Sequence, residues 1–323
     1  MSKPRRYYRD LDGILLLDKA LGLSSNAALQ EVRALFGAKK AGHAGSLDPL
    51  ASGLLPVCFG QATKVCGRLL NSAKTYLVRV RLGARTESGD METAIVEQAP
   101  VPALTDEHVA SVLQSFAGEQ EQIPPMHSAL KFEGKRLYEL ARSGQSVERA
   151  PRKIVLSGLK LVALTQDWLE FEVHCSKGTY IRTLAADLAI RLGTLGYVER
   201  LRRLSVDPFA AYPMYTLAEL QGLDGAVRDT RLLGADAAFA DLPRIDLDAS
   251  AARRLLLGQT IAGPLDLSPL SFPARAYGAN QEFLGLVEAA GIGLLKPARL
   301  FTDVTVSSGQ RTEERDPARV VGS

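Results

Sequence analysis

The sequence has few of the residues that build metal sites or disulfide frameworks. Its 323 residues include four histidines and three cysteines, Cys58, Cys66 and Cys175. The cysteines are widely spaced and odd in number, so they predict neither a disulfide framework nor a zinc site. We therefore expect no metal, and free thiols in the reducing environment of the cytoplasm.

Long apolar runs and targeting signals are also missing. No stretch approaches the roughly 20 apolar residues of a membrane helix, and residues 1–8 are polar and basic where a secretory signal has an apolar core. The sequence contains no P-loop and no dinucleotide-binding fingerprint. These absences predict a cytoplasmic protein with no membrane association and no nucleotide cofactor.

The charge is nearly balanced, at +3, but the basic residues are clustered. Between residues 123 and 153 there are seven basic residues and three acidic ones, and Arg200, Arg202 and Arg203 form a second cluster. Such clusters are typical of a surface that contacts RNA phosphates. A solvated charged face explains them equally well, so composition alone leaves both interpretations open.

Hydrophobic periodicity predicts alternating strands and helices along the first two-thirds of the chain. The predicted strands are residues 13–19, 54–59, 75–82, 169–175 and 197–206. Helices are predicted after an N-cap within Ser24-Ser25-Asn26, after the cap residue Thr105, and from about Tyr180. A mobile basic segment is predicted up to Lys153, and a compact β-rich module follows near the C-terminus.

The most distinctive stretch is residues 42–56, an apolar loop with three glycines, two prolines and one acid, Asp48. Pro49 biases Asp48 away from helical backbone angles. A lone carboxylate in such a loop is a candidate nucleophile or base. Taken by itself, the loop is better explained as a tight turn whose Asp binds local backbone amides than as a catalytic site.

Two further residues are unusual for their predicted positions. Arg182 falls in the first turn of a predicted helix, where a cation opposes the helix dipole, so we expect a carboxylate partner elsewhere in the chain. Tyr76 begins the apolar face of a predicted strand, where a core tyrosine is the more common role.

Several motifs together resemble the TruB family of tRNA pseudouridine synthases. Residues 42–55 read Gly-His-x-Gly-x-Leu-Asp-Pro-x-Ala-x-Gly-x-Leu, which is similar to the family signature. The resemblance continues, in the family's order, through Asp12–Lys19, Lys74–Tyr76, Ile123–Lys131, Gly134–Gly144, Lys177–Arg182 and Leu201–Arg203. It covers about residues 11–302, and the C-terminal module resembles the PUA-like domain of bacterial members.

The resemblance implies an α+β protein with the pseudouridine synthase fold, in which a mixed, mostly antiparallel central sheet is flanked by helices. It implies a catalytic domain at 1–243 with a thumb-like insertion at about 123–153. A small β-rich, PUA-like RNA-binding domain is expected at 244–303, followed by a disordered tail at 304–323.

The implied reaction converts uridine 55 in the T-arm of tRNA to pseudouridine. The bond between C1′ and N1 breaks, the uracil rotates, and a bond between C1′ and C5 forms. This isomerisation needs no cofactor or metal. The implied partner is the T-arm stem-loop of tRNA, with no obligate protein partner.

The family's catalytic residues match Asp48 as nucleophile, Arg182 as its ion-pair partner, and Tyr76, which stacks on the target base and is proposed to take the C5 proton. Tyr180 and Leu201 match residues that line the uracil pocket. His43 matches a histidine that helps to hold the RNA with its base flipped, although a loop-stabilising hydrogen bond also fits. Phosphate contacts are expected from the thumb and the second basic cluster, including Lys131, Arg142 and Arg202.

The sequence departs from the family in the loop Thr86–Thr93, where Asp90 matches but Thr93 replaces a glycine. This leaves the loop's conformation open, with Asp90 as an RNA-contacting or scaffold residue. A noncatalytic tRNA-binding or RNA-folding protein on the same scaffold is the alternative, but it could lose the catalytic acid that this chain keeps. A glycosidase would need two carboxylates across a sugar, and the sequence offers one convincing acid.

Overall fold

The computed structural model describes residues 8–128, 130–132, 134–145, 147–263 and 272–301. The chain divides into two compact units, residues 1–241 and 242–323, which are described separately. The predicted tail at 304–323 lies outside the described residues, as do 264–271 and 302–303 of the predicted PUA-like domain.

The first unit is built around a nine-stranded mixed sheet. Its strands are β1 Gly13–Lys19, β2 Ala41–His43, β3 Ala51–Phe59, β4 Lys74–Leu82, β7 Gly118–Gln122, β10 Arg152–Leu164, β11 Trp168–Cys175, β12 Gly196–Val206 and β13 Tyr215–Thr216. The strand order is β13-β1-β3-β12-β4-β11-β10-β7, and β2 pairs with β3 outside this path. β1 and β13 are parallel, as are β3 and β12, and the other pairs are antiparallel. The predicted mixed, mostly antiparallel sheet is confirmed.

Helices and short hairpins complete the first unit. The helices are α1 Ser25–Leu35, α2 Cys66–Asn71, α3 Asp106–Gln114, α4 Leu137–Arg142, α5 Ile181–Arg191, α6 Leu217–Gln221 and α7 Gly225–Asp229, with 3-10 helices at Gly60–Val65 and Ala235–Phe239. The hairpins are β5 Ala84–Thr86 with β6 Ile95–Gln98, and β8 Lys131–Phe132 with β9 Lys135–Arg136. As predicted, Ser24 caps α1 by accepting a hydrogen bond from Ala27 N–H.

Two apolar clusters hold the helices against the sheet. In the larger one, α3 and α5 pack on β4 and β11, with Val78, Phe171 and Leu188 fully buried. In the other, α1 packs on β1 and β3 through residues such as Val32 and Leu55. Burial of these side chains removes apolar surface from water and fixes α5 against the strands.

The second unit has its own five-stranded sheet, in the order β14-β16-β17-β18-β15. Its elements are β14 Arg244–Asp246, α8 Ala249–Leu256, β15 Ile261–Ala262, β16 Ala274–Tyr277, β17 Phe283–Gly291 and β18 Leu294–Leu300. Its separate core includes Leu255, Leu284 and Leu295. The expected β-rich C-terminal module is therefore confirmed.

The prediction of a mobile segment reaching Lys153 is wrong for its last two residues. Arg152 and Lys153 begin β10, where they pair with Gln122 and Glu121 of β7. The sequence of β7, Gly-Glu-Gln-Glu-Gln, has no apolar alternation to mark it as a strand. Among the described residues, no helix combines the length and the apolar character needed to cross a membrane.

Candidate active site

Asp48 lies on the loop between β2 and β3, and hydrogen bonds to the loop backbone hold that loop in place. The buried Ser25 Oγ accepts a hydrogen bond from Leu47 N–H at 2.7 Å and lies 2.9 Å from Leu47 O, to which it donates. Ala51 N–H donates to Asp48 O at 3.0 Å. The Asp48 side chain is 60% exposed, so a fixed backbone presents a carboxylate at the surface.

Arg182, the second residue of α5, brings its guanidinium to this carboxylate. Its Nη2 lies 3.6 Å from Asp48 Oδ2 and donates to His127 O at 2.6 Å. Its Nη1 donates to Asp90 Oδ2 at 3.2 Å and to Ser88 O at 3.1 Å. The carboxylate partners expected for a cation at a helix N-terminus are therefore present, and there are two of them.

The loop that holds Asp90 is closed by its own side chains. Asp90 Oδ1 accepts hydrogen bonds from Ser88 Oγ at 2.6 Å and from Glu92 N–H at 2.9 Å. Thr93 Oγ1 accepts from Ser88 N–H, also at 2.9 Å. The threonine that replaces the family's glycine thus helps to order the loop, and Asp90 is a scaffold for Arg182.

Arg203 is buried and bonded to backbone on either side of the Asp48 loop, whereas the sequence predicted it as part of a phosphate-contacting cluster. It is 1% exposed, and it donates from Nε to Leu54 O at 2.6 Å and from Nη2 to Gly45 O at 2.8 Å. It lies opposite Tyr76 across β12 and β4, so its guanidinium charge acts on the Tyr76 hydroxyl. Leu201 and Arg203 are two positions apart on β12 and therefore lie on the same face of the strand. This alternation could have predicted that Arg203 is buried.

These neighbours set the protonation of two predicted site residues. Burial raises the pKa of Tyr76, and the Arg203 guanidinium works in the opposite direction. Burial, and then Arg203, lower the pKa of His43. His43 Nδ1 is buried and has no hydrogen-bond partner among the described residues. With its pKa below the ordinary value, the ring is mainly neutral at pH 7.

A small cavity of about 20 Å³ lies beside the ion pair. It is lined by Asp48, Leu50, Ala51, Asp90, Met91, Arg182, Val198, Glu199 and Leu201. This volume holds about one water molecule, so a nucleobase needs the walls to move apart. Within the described residues, no group of three or more His, Cys, Asp or Glu side chains is arranged to hold a metal ion.

The other predicted site residues lie at varying distances from this centre. Tyr180 is the N-cap of α5, two residues before Arg182. Arg202 points to the other face of β12, where it forms a bidentate ion pair with Asp18 at 2.6 and 2.9 Å. It lines a separate cavity of about 460 Å³. Lys131 is in β8 and Arg142 in α4, and their side chains lie outside the described part of the structure.

The chain shares its fold with solved structures. The chain resembles Cbf5 in the crystal structure of a Cbf5-Nop10-Gar1 complex, with a TM-score of 0.67 and 22% identity, covering 90% of this chain and 85% of that one. For an archaeal box H/ACA sRNP Nop10-Cbf5 complex the TM-score is 0.64 at 20% identity, with coverage of 94% and 93%. This is the fold of the pseudouridine synthases.

Sequence comparison identifies the family. Residues 33–181 match the N-terminal domain of TruB family pseudouridylate synthases, 182–245 the tRNA pseudouridylate synthase B C-terminal domain, and 243–301 the C-terminal domain of pseudouridine synthase II TruB. The chain is 48% identical over 306 residues to the tRNA pseudouridine synthase B of Chromohalobacter salexigens, covering 94% of this chain and 99% of the relative. It is 46% identical over 312 residues to that of Aromatoleum aromaticum, covering 96% and 99%. The chain belongs to the TruB family of pseudouridine synthases, as its motifs predicted.

Proposed function

We propose that this protein converts uridine 55 in the T-arm of tRNA to pseudouridine, with Asp48 as the catalytic nucleophile. Membership of the TruB family and near full-length similarity to proteins named tRNA pseudouridine synthase B support a tRNA uridine substrate. The observation that carries the proposal is the pairing of the exposed Asp48 carboxylate with the largely buried Arg182 guanidinium.

This pairing suits a carboxylate that attacks the nucleotide. Arg182 fixes the direction of the Asp48 carboxylate, while the exposed side of that carboxylate stays open to substrate. Asp48 attacks C1′ or C6, or assists formation of a glycal. In each route one proton leaves C5 and one is gained at N1, so the reaction is redox-neutral.

The surrounding side chains bind the flipped base. Tyr76 stacks on the uracil, and its raised pKa keeps the hydroxyl protonated at neutral pH. To accept the C5 proton, Tyr76 must be a phenolate, and the Arg203 guanidinium favours that form. Leu201 and Tyr180 line the uracil pocket, and the His43 ring helps to hold the RNA with its base flipped.

Recognition of the T-arm comes mainly from its shape. The thumb-like insertion at 123–153 closes on the T-loop, and Lys131, Arg142 and Arg202 add phosphate contacts. The second unit acts as a PUA-like RNA-binding domain, corresponding to the predicted segment 244–303. We place the reaction in the cytoplasm, without an obligate protein partner.

One assay tests the proposal. Unmodified tRNA transcript is incubated with the protein without added cofactor, and pseudouridine is mapped by position. The parent is expected to modify position 55. Asp48→Asn is expected to lower the rate by at least about 10³-fold, because the amide is a poor nucleophile, with tRNA affinity within about threefold of the parent.

Asp167→Asn is the matched control, because this aspartate is similarly exposed at 65%. It is expected to leave the rate unchanged. Turnover by Asp48→Asn at the parental rate would exclude the nucleophile. Tight tRNA binding by the parent without pseudouridine formation would favour the noncatalytic alternative.

A further inference from the structure

The side-chain amide of Gln122 holds the backbone of Tyr180 at two points. Gln122 Oε1 accepts a hydrogen bond from Tyr180 N–H at 2.8 Å, and Gln122 Nε2 donates to Tyr180 O at 3.0 Å. The amide thus bonds both backbone groups of one residue, as a neighbouring strand would. Gln122 is 6% exposed, so these bonds are protected from water.

This clamp acts where α5 begins without a side-chain cap. Tyr180 is the N-cap residue, and its side chain makes no capping hydrogen bond. Its carbonyl accepts from Leu184 N–H at 3.1 Å, the first bond of the helix, as well as from Gln122. The orientation of Tyr180 therefore sets how α5 starts, and Arg182 follows in the first turn.

A second contact ties the same two segments together. Gln122 ends the edge strand β7, and five residues later His127 O accepts from Arg182 Nη2 at 2.6 Å. Pro124 and Pro125 restrict the backbone between these two points. The segment 122–127 is therefore fastened to 180–182 at both ends, at the base of the thumb-like insertion.

We propose that Gln122 is a positioning residue for the isomerisation: its amide fixes Tyr180, and through the start of α5 it sets the distance between Arg182 and Asp48. The inference rests on the proposed function. It gives Gln122 no contact with the substrate, so its loss is expected to change kcat rather than tRNA affinity.

Gln122→Glu is the sharpest test. An ionised carboxylate at position 122 still accepts a hydrogen bond from Tyr180 N–H. Its second oxygen, however, faces Tyr180 O, and the two acceptors repel each other. When protonated, the new acid donates to that carbonyl and restores both bonds. At pH 8 we expect kcat to be at least about tenfold below the parent, with KM within about twofold, and the deficit to shrink at least about threefold by pH 5.5.

The ratio of the variant's kcat to the parent's kcat at each pH isolates the effect of the introduced carboxyl group. Arg152 faces position 122 on β10, Glu121 precedes it, and Arg182 lies on α5, but all three are present in both proteins. Gln120→Glu, two residues earlier on the same strand, is the matched control, and its ratio is expected to be flat with pH. Gln122→Leu is expected to lower kcat to the same extent at every pH.

Amide hydrogen exchange on the unaltered protein tests the clamp without a variant. Tyr180 N–H is expected to exchange slowly, because it is bonded to a buried side chain. Fast exchange, or a kcat within twofold of the parent for both Gln122 variants at every pH, would overturn the inference. So would a loss confined to thermal stability and tRNA affinity. A parent that makes no pseudouridine would instead refute the proposed function, while the exchange result would still decide on the clamp.

Discussion

The guanidinium of Arg182 satisfies four acceptors at once, and this explains why an arginine occupies the start of α5. Its two terminal nitrogens bond one carboxylate and two carbonyls and pair with the second carboxylate, Asp48. A planar guanidinium can do this in a fixed geometry, whereas a lysine ammonium has three donors on a flexible stem. With the closer contact to Asp90, the cation is held in place whether or not Asp48 is engaged with substrate.

Thr93 tests whether the loop around Asp90 depends on its own side chains. Removing the hydroxyl in Thr93→Ala leaves the N–H of the buried Ser88 without its acceptor, which costs about 1–2 kcal/mol of unfolding free energy. We also expect a lower kcat, because Asp90 supports Arg182. Urea unfolding and pseudouridine assays measure both. Thr93→Ser keeps the hydroxyl and should match the parent; equal losses in the two variants would show that the hydroxyl is not responsible.

His43 makes the stability of the fold sensitive to acid. Burial and Arg203 lower its pKa below the ordinary value of 6.5. As pH falls below 6.5, the unfolded chain binds a proton that the folded chain resists, so the contribution present above that pH is progressively lost. His43→Asn should therefore lose less unfolding free energy than the parent between pH 7 and pH 5. Parallel pH curves from urea titrations of the two proteins would contradict this.

At the scale of elements, the parallel pairing of β3 and β12 depends on Gly53, which lies opposite Arg203. Its φ is +98°, and a Cβ at this position would lie 2.2 Å from Arg203 O. Gly53→Ala would push β3, which follows the Asp48 loop, away from β12, which carries Arg203, so we expect a loss of at least about 3 kcal/mol of unfolding free energy. Gly67→Ala in α2 is the control, because a Cβ there has no neighbour within 4 Å. It should stabilise by about 0.5–1 kcal/mol, and equal effects in thermal melts would refute the steric argument.

Elements with a strong apolar period were predictable from the sequence, and polar edge elements were not. The alternation along β4 and β11 and the Ser24 cap of α1 each have a local cause, so the sequence alone located them. β7 has no apolar face, and the start of β10 reads as basic loop. β7 and β10 are distant in the sequence, so no local pattern predicts that they pair.

The same division holds at the site. Asp48, Tyr76 and Arg182 belong to recognisable motifs, and the structure pairs Asp48 with Arg182. The support given by Arg203, Asp90 and Gln122 depends on which strand lies beside which. A buried guanidinium bonded to two carbonyls and an amide that clamps a helix start are products of tertiary packing, so the sequence could not assign them.

At the scale of the whole molecule, the two units carry independent cores and sheets. The second unit has its own apolar cluster, including Leu255 and Leu295, and the last turn of α8 carries the exposed pair Arg253 and Arg254. The site residues identified above all lie in the first unit. This arrangement separates chemistry from any additional RNA binding by residues 242–323.

That separation predicts different effects on turnover and on binding when the chain is ended after Asp241. We expect kcat at saturating tRNA to stay within about threefold of the full chain, because the ion pair and its supports remain. If the second unit binds RNA, the slope of log affinity against log salt should become shallower by about one for each phosphate that this unit neutralises. Arg253→Ala in the full chain should produce a smaller change of the same sign. An unchanged salt slope in the shortened chain would mean that the second unit does not bind the phosphates of tRNA.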